Sequence, residues 1–159
     1  MLKFLAVVML WVLFLGLFFF VWPLEADATV YLAASDSSSQ AKERAHRVAD
    51  GTDDWEEIEW AINTLPTEGG KVSVASGTYH STVPHIVDLG ARYQVVIEGE
   101  GIGTEFHNIG FKSNNSSNVF QYFAIRGGVP IGIEIYNGSY NRVNYVQIRY
   151  TGIGIKIHG

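Results

Sequence analysis

The chain has 159 residues, 47% of them hydrophobic, with 17 glycines, no cysteine and a formal net charge of −5. Without cysteine there is no disulfide framework, so an exported fold must rest on packing and ladder hydrogen bonds. The acidic balance, with no basic stripe interleaved with aromatics, excludes nucleic acid as the natural partner, and the composition fits one β-rich domain joined to a strongly apolar segment.

That segment is N-terminal. Residues 4–22 carry no charge, and as a helix rising about 1.5 Å per residue the run reaches roughly 28 Å, close to the hydrocarbon thickness of a bilayer. It is longer than the apolar region of an ordinary secretory signal, yet Pro23 ends it and Ala26-Asp27-Ala28 matches a small-residue cleavage site. Residues 1–28 therefore read as a signal peptide or a membrane anchor helix, with both fates open. Lys3 precedes the span while Glu25 and Asp27 follow it, which puts the N-terminus inside and the rest of the chain outside the cytoplasm, either secreted or membrane-anchored.

Residues 29–48 make a second unit. Thr29-Val30-Tyr31-Leu32-Ala33-Ala34 has the β-branched and aromatic content of a strand. Ser37 with Gln40 fits a capping box and predicts a short helix over 41–48.

The third unit, residues 49–159, opens with Asp50-Gly51-Thr52-Asp53-Asp54. Trp55, Ile58, Ala61, Ile62 and Leu65 fall on one helical face, so 55–65 is an amphipathic helix stopped by Pro66 and Gly69-Gly70. Asp53 with Glu56 and Asp54 with Glu57 fit capping registers, so the acidic cluster reads as helix capping, with a cation site or acid/base pair as the alternative. Beyond the helix the pattern switches to period two: a strand around Val72 and Val74, a turn at Ser76-Gly77-Thr78-Tyr79, a strand over 94–98, a turn over 99–104, a strand over 106–111 and a polar loop over 112–118.

The last third repeats itself. Residues 118–126 return as 141–149 at an offset of 23, and Gly132-Ile133-Glu134-Ile135 returns as Gly154-Ile155-Lys156-Ile157 at an offset of 22. A repeat this short has no helical period and cannot bury an apolar face alone, so it must stack on its neighbours as successive coils of a parallel β-helix. Asn118 with Asn141, and Tyr122 with Tyr145, recur at the coil offset and read as ladders at turns or faces rather than as binding residues.

Asp50-Gly51-Thr52-Asp53-Asp54, Ile58, Ala61-Ile62, Gly69-Gly70-Lys71-Val72, Ser76-Gly77-Thr78-Tyr79, Ile97-Glu98-Gly99-Glu100-Gly101 and Gly103-Thr104 together resemble, in order and spacing, the N-terminal part of pectate-lyase-like right-handed parallel β-helix proteins. The resemblance implies an all-β solenoid, with residues 49–159 forming the N-terminal cap and first coils. It also implies that Trp55, Ile58, Ile62 and Leu65 cover the end of the β-helix, and that the sphere of action is extracellular or cell-envelope carbohydrate. Enzymes of that kind cleave acidic polysaccharide with Asp residues on adjacent coils that hold calcium or act as acid and base, so calcium enters by resemblance alone.

The residues themselves display no catalytic constellation. No Asp follows Asp88, and the later acids are Glu98, Glu100, Glu105 and Glu134. Lys156 fits strand alternation beside Glu134 at the 22-residue offset, a cross-strand pair rather than a catalytic base. His80, His85 and His107 lack zinc-ligand spacing. Asn114-Asn115-Ser116-Ser117 and Asn137-Gly138-Ser139 contain glycosylation sequons suited to exported turns.

Arg126 and Arg149 share the 23-residue offset, and alternation puts both outside, one coil or about 4.8 Å apart. Neighbouring glutamates or water can neutralise the pair; otherwise they form a short strip that grips an acidic polysaccharide. The function then reads as an exported β-helix, incomplete at its C-terminus, acting on or binding polysaccharide, with catalysis open and a non-catalytic glycan-binding or adhesion module as the alternative. With no capping element after the last coil, self-association through that open coil is a further expectation.

Overall fold

The computed structural model describes residues 28–158, so the signal-or-anchor expectation lies outside the described residues. Among the described residues no helix is long and apolar enough to cross a membrane.

The elements run β1 (Thr29–Ala33), α1 (Ser39–Arg44), β2 (Arg47–Val48), α2 (Trp55–Thr64), β3 (Gly70–Val74), β4 (Gly77–Asp88), β5 (Val95–Gly99), β6 (Thr104–Ser113), β7 (Val119–Arg126), β8 (Ile131–Ile135), β9 (Arg142–Arg149) and β10 (Ile153–Ile157). Every strand pairing is parallel, and the chain winds into a β-solenoid of about four turns.

Three ladders of side chains run through it. One carries Val30, Val72, Ile97, Phe120 and Val143. A second carries Tyr79, Phe106, Ile125 and Ile148, and a third Val87, Phe111, Ile133 and Ile155. All of these are buried except on the last coil, where Val143 and Ile148 are partly buried and Ile155 is exposed. The registers Phe120 to Val143 and Ile133 to Ile155 reproduce the sequence offsets of 23 and 22.

Phenylalanines fill the middle coils. Phe106 meets Phe111 and Phe123 edge-on at centroid distances of 5.0 and 5.2 Å, the geometry that the ring quadrupole favours. Tyr79 joins them 5.4 Å from Phe106, its hydroxyl donating to the Ala75 carbonyl at 3.2 Å. Burial pushes that phenol far above its ordinary pKa.

Asn118 and Asn141 form the expected ladder through hydrogen bonds. The Asn118 carboxamide oxygen accepts from the Val95 amide at 2.8 Å, and the Asn141 oxygen accepts from the Asn118 amide at 2.9 Å. Asn118 is fully buried, and its amide nitrogen donates to Ser113 Oγ at 2.9 Å. Corners that leave backbone amides pointing inward are thus satisfied by side chains one coil away.

The chain turns its corners with single left-handed residues. Asn108, Gly127 and Tyr150, which each follow one of the registered residues His107, Arg126 and Arg149, all have positive φ. At a second corner stand Gln94, Ser117 and Tyr140, and at the third Tyr122 and Tyr145, between the registered pairs Gln121/Asn144 and Phe123/Val146. A non-glycine residue held there costs about 1–2 kcal/mol. Gly99 sits against the third corner so closely that an added Cβ would lie 2.4 Å from the Tyr122 carbonyl oxygen.

Helix α2 matches its predicted span to within a residue, and Ile58, Ala61 and Ile62 join the core with Leu65 just beyond it. The aspartates at its start bond differently from the predicted capping boxes. Asp54 makes no side-chain cap bond; buried, it accepts from the Gly51 and His80 amides at 2.7 Å each, tying the helix entry to β4. Asp53 accepts from the amide and hydroxyl of Thr82, both at 2.8 Å, and the amide bond foremost lowers its pKa.

Three local expectations are corrected. Ser38 rather than Ser37 caps α1, because the Ser37 hydroxyl is taken by the Ala34 amide and donates to the Ser76 carbonyl. The helix stops at Arg44, and Arg47–Val48 pairs instead as a strand with β1, Arg47 bonding Glu57 at 2.9 Å. Gly77 to Tyr79 belong to a strand, not a turn, since Tyr79 is a core residue paired with Phe106.

Candidate functional site

The outward surface of β7 and β9 is where residues of recognition chemistry gather. Alternation that sends Phe120, Phe123 and Ile125 inward leaves Gln121 and Arg126 outward. The parallel register sets Asn144 beside Gln121, Gln147 beside Ala124 and Arg149 beside Arg126. One column therefore reads His80, His107, Arg126, Arg149 on four successive coils.

The two arginines are not equivalent. Arg126 Nη2 donates to Glu105 Oε1 at 2.8 Å, and His107 Nε2 lies 3.0 Å from Glu105 Oε2. Hydrogen bonding from His107, and then from Arg126, holds the Glu105 carboxyl below the usual carboxylate range. Arg149 is exposed and meets no carboxylate within ion-pair distance among the described residues. One end of the column is thus internally neutralised and the other presents a free guanidinium.

At the corner between the two halves of β7 and β9 stand Tyr122 and Tyr145, their rings stacked at 5.2 Å and 6°. Tyr145 is 78% exposed and Tyr122 40%. Aromatic, amide and guanidinium groups thereby share one strip of surface, without an acid on β7 or β9.

The carboxylates of the coils are engaged elsewhere. Glu98 accepts from Lys71 at 2.9 Å and from Gln121 at 2.6 Å, and the lysine bond foremost lowers its pKa. On the third face Asp88, Lys112, Glu134 and Lys156 succeed one another in register with alternating charge. Lys156 lies 3.5 Å from Glu134, the predicted cross-strand pair, while His158 at 2.8 Å is the main cause of the lowered Glu134 pKa.

Among the described residues no three His, Asp or Glu side chains stand close enough to hold a metal ion. A cleft of about 240 Å³ opens between α1 and the outward side of β1 and β3, lined by Tyr31, Gln40, Arg44, Ser73 and Glu100 among others. Of the sequons, Asn114 and Asn115 spend their amides on Asp88 and Ala91, whereas Asn137 is exposed.

Sequence reasoning finds the arginine pair but misses the partner of Arg126. The β6–β7 register is Phe106 to Ile125, not the 22 or 23 of the visible repeat, so the repeat does not place Glu105 beside it. It also misses the charge division: residues 106–158 hold five Lys and Arg but one acid, Glu134. The tyrosine corners carry a signal as well, since Tyr150 falls 23 residues after Gly127, a residue type that marks left-handed corners. The chain matches no protein-family model, no curated protein and no solved structure.

Proposed function

We propose that the chain is an exported, right-handed β-helix of the pectate-lyase-like kind, capped by α2, whose β7/β9 surface binds acidic polysaccharide of the extracellular space or cell envelope. The observation that carries this reading is the register of Arg126, paired with Glu105, with Arg149, whose guanidinium is free on strands that themselves carry no acid. A planar guanidinium is suited to bidentate contact with a sugar carboxylate.

Binding without cleavage is favoured by the state of the carboxylates. A general acid in glycan cleavage needs a raised pKa, whereas Glu98, Glu105 and Glu134 are all held below their ordinary range by their partners. The reading is therefore a glycan-binding or adhesion surface.

The test is affinity electrophoresis of the full chain in nonionic detergent through gels containing polygalacturonate. Replacing Arg126→Gln and Arg149→Gln together is expected to weaken binding by about tenfold at low salt and less at high salt. Equal retardation of parent and double variant, or none of the parent at low salt, contradicts the proposal.

A further inference from the structure

We infer that Tyr145, braced by Tyr122, is a stacking platform for the apolar face of a pyranose ring. The strip thus recognises uncharged or esterified sugars as well as charged ones. This rests on the glycan-binding reading and adds a specificity that the arginines cannot supply.

Tyr122 and Tyr145 sit at φ 60° and 52°, a region where bulky side chains are rare. The fold does not require tyrosine at such corners. Equivalent left-handed positions on earlier coils are filled by Gln94, Asn108, Ser117 and Gly127, and on the last coil by Tyr140 and Tyr150; Asn and Gly tolerate the conformation best. Burial does not repay the strain either, because Tyr145 is 78% exposed. Tyr140 and Tyr150 share that strain and exposure, and what singles out Tyr145 is the second ring stacked against it.

Geometry supplies the rest. The 5.2 Å stack on Tyr122 fixes the orientation of the Tyr145 ring before any ligand arrives, which lowers the entropy lost on binding. The amides of Asn144 and Gln147 lie on the strand segments to either side, with Gln121 beside Asn144 on the preceding coil. Neutral donors and acceptors around an apolar ring face match a sugar, whose C–H face is apolar and whose rim is hydroxyl. A single-stranded nucleic acid would need a basic groove tracking its backbone, and the strip offers only Arg142 and Arg149 without an ion pair among the described residues, at the two ends of β9, on a chain of net charge −5.

Full-length protein in nonionic detergent is titrated with three probes: fully methyl-esterified polygalacturonate, polygalacturonate, and a single-stranded oligonucleotide. Tyr145→Asn is expected to weaken binding to the esterified polymer by roughly tenfold or more, with an unfolding midpoint no lower than the parent's because Asn suits the corner. Tyr145→Phe keeps the ring and should retain binding of the esterified polymer. Unchanged binding of the esterified polymer by Tyr145→Asn overturns the platform. So does a parent that binds only the acidic polymer, though the arginine reading then stands. A parent that binds neither polymer overturns both, and tighter binding of the oligonucleotide overturns the choice of a sugar. If Tyr145→Asn is destabilised, loss of binding by Tyr145→Phe equally overturns the stacking role.

Discussion

Replacing Asn118 by Leu keeps a side chain of similar shape but removes every polar contact it makes. The Val95 amide loses its acceptor at 2.8 Å and the Ser113 hydroxyl loses its donor at 2.9 Å, both in the interior. An orphaned buried N–H costs about 1–3 kcal/mol and the second bond adds about 0.5–1.5, so destabilisation of roughly 2–4 kcal/mol is expected. Asn141→Leu is the internal control. It removes the bond from the Asn118 amide at 2.9 Å and a longer one from the Ser113 hydroxyl at 3.4 Å, and also removes an Asn141 amide nitrogen that is buried without a partner. Removing that unpartnered nitrogen offsets part of the loss, so its effect should be smaller than that of Asn118→Leu, about 1–2 kcal/mol. Urea unfolding followed by tryptophan fluorescence reads both, as shifts in midpoint at constant slope. An Asn118→Leu midpoint no lower than that of Asn141→Leu would refute the carboxamide ladder as a stabilising element.

Two further outcomes follow from the charged coils and the last strand. Glu98, Glu105 and Glu134 have folded pKa values below their ordinary ones, so their contribution is fully present above about pH 4.3 and is lost as pH falls through the depressed values. The triple Gln variant should have a shallower acid slope of the urea midpoint, with Asp53 keeping its own share, and an unaltered slope contradicts this. Residues 29–159 should self-associate with rising concentration in sedimentation velocity, because β10 exposes Ile153, Ile155 and Ile157; a concentration-independent monomer is the contrary result.

The fold is most legible in the repeat. Inward Ile and Phe at fixed offsets dictate stacking, so the parallel coils and the Lys156–Glu134 pair follow from the order of residues alone. Position within a coil is less open to such reading. Tyr79 looks like part of a turn because Ser-Gly-Thr precedes it, yet its aromatic bulk is held in the core by Phe106 and Ala75. Ser37 and Ser38 both offer a capping hydroxyl, and only the distant Ser76 carbonyl decides which one is spent elsewhere. The site is half legible: the arginine offset is visible, but the Glu105 pairing depends on a β6–β7 register that differs from the repeat. The exposed tyrosines recur openly in the sequence, while their left-handed backbone is a property of the folded corner.

Hydroxyl-radical footprinting of the full chain with and without polygalacturonate tests the central claim most directly, because the four exposed tyrosines of the last coils report separately. Tyr140 and Tyr150, 82% and 81% exposed at the other two corners, serve as references for Tyr122 and Tyr145. The account predicts that the polymer protects Tyr145 and Tyr122 while Tyr140 and Tyr150 stay as reactive as in its absence. Protection of Tyr31 in the cleft beside α1 instead, or equal oxidation of all four corner tyrosines at saturating polymer, would contradict it.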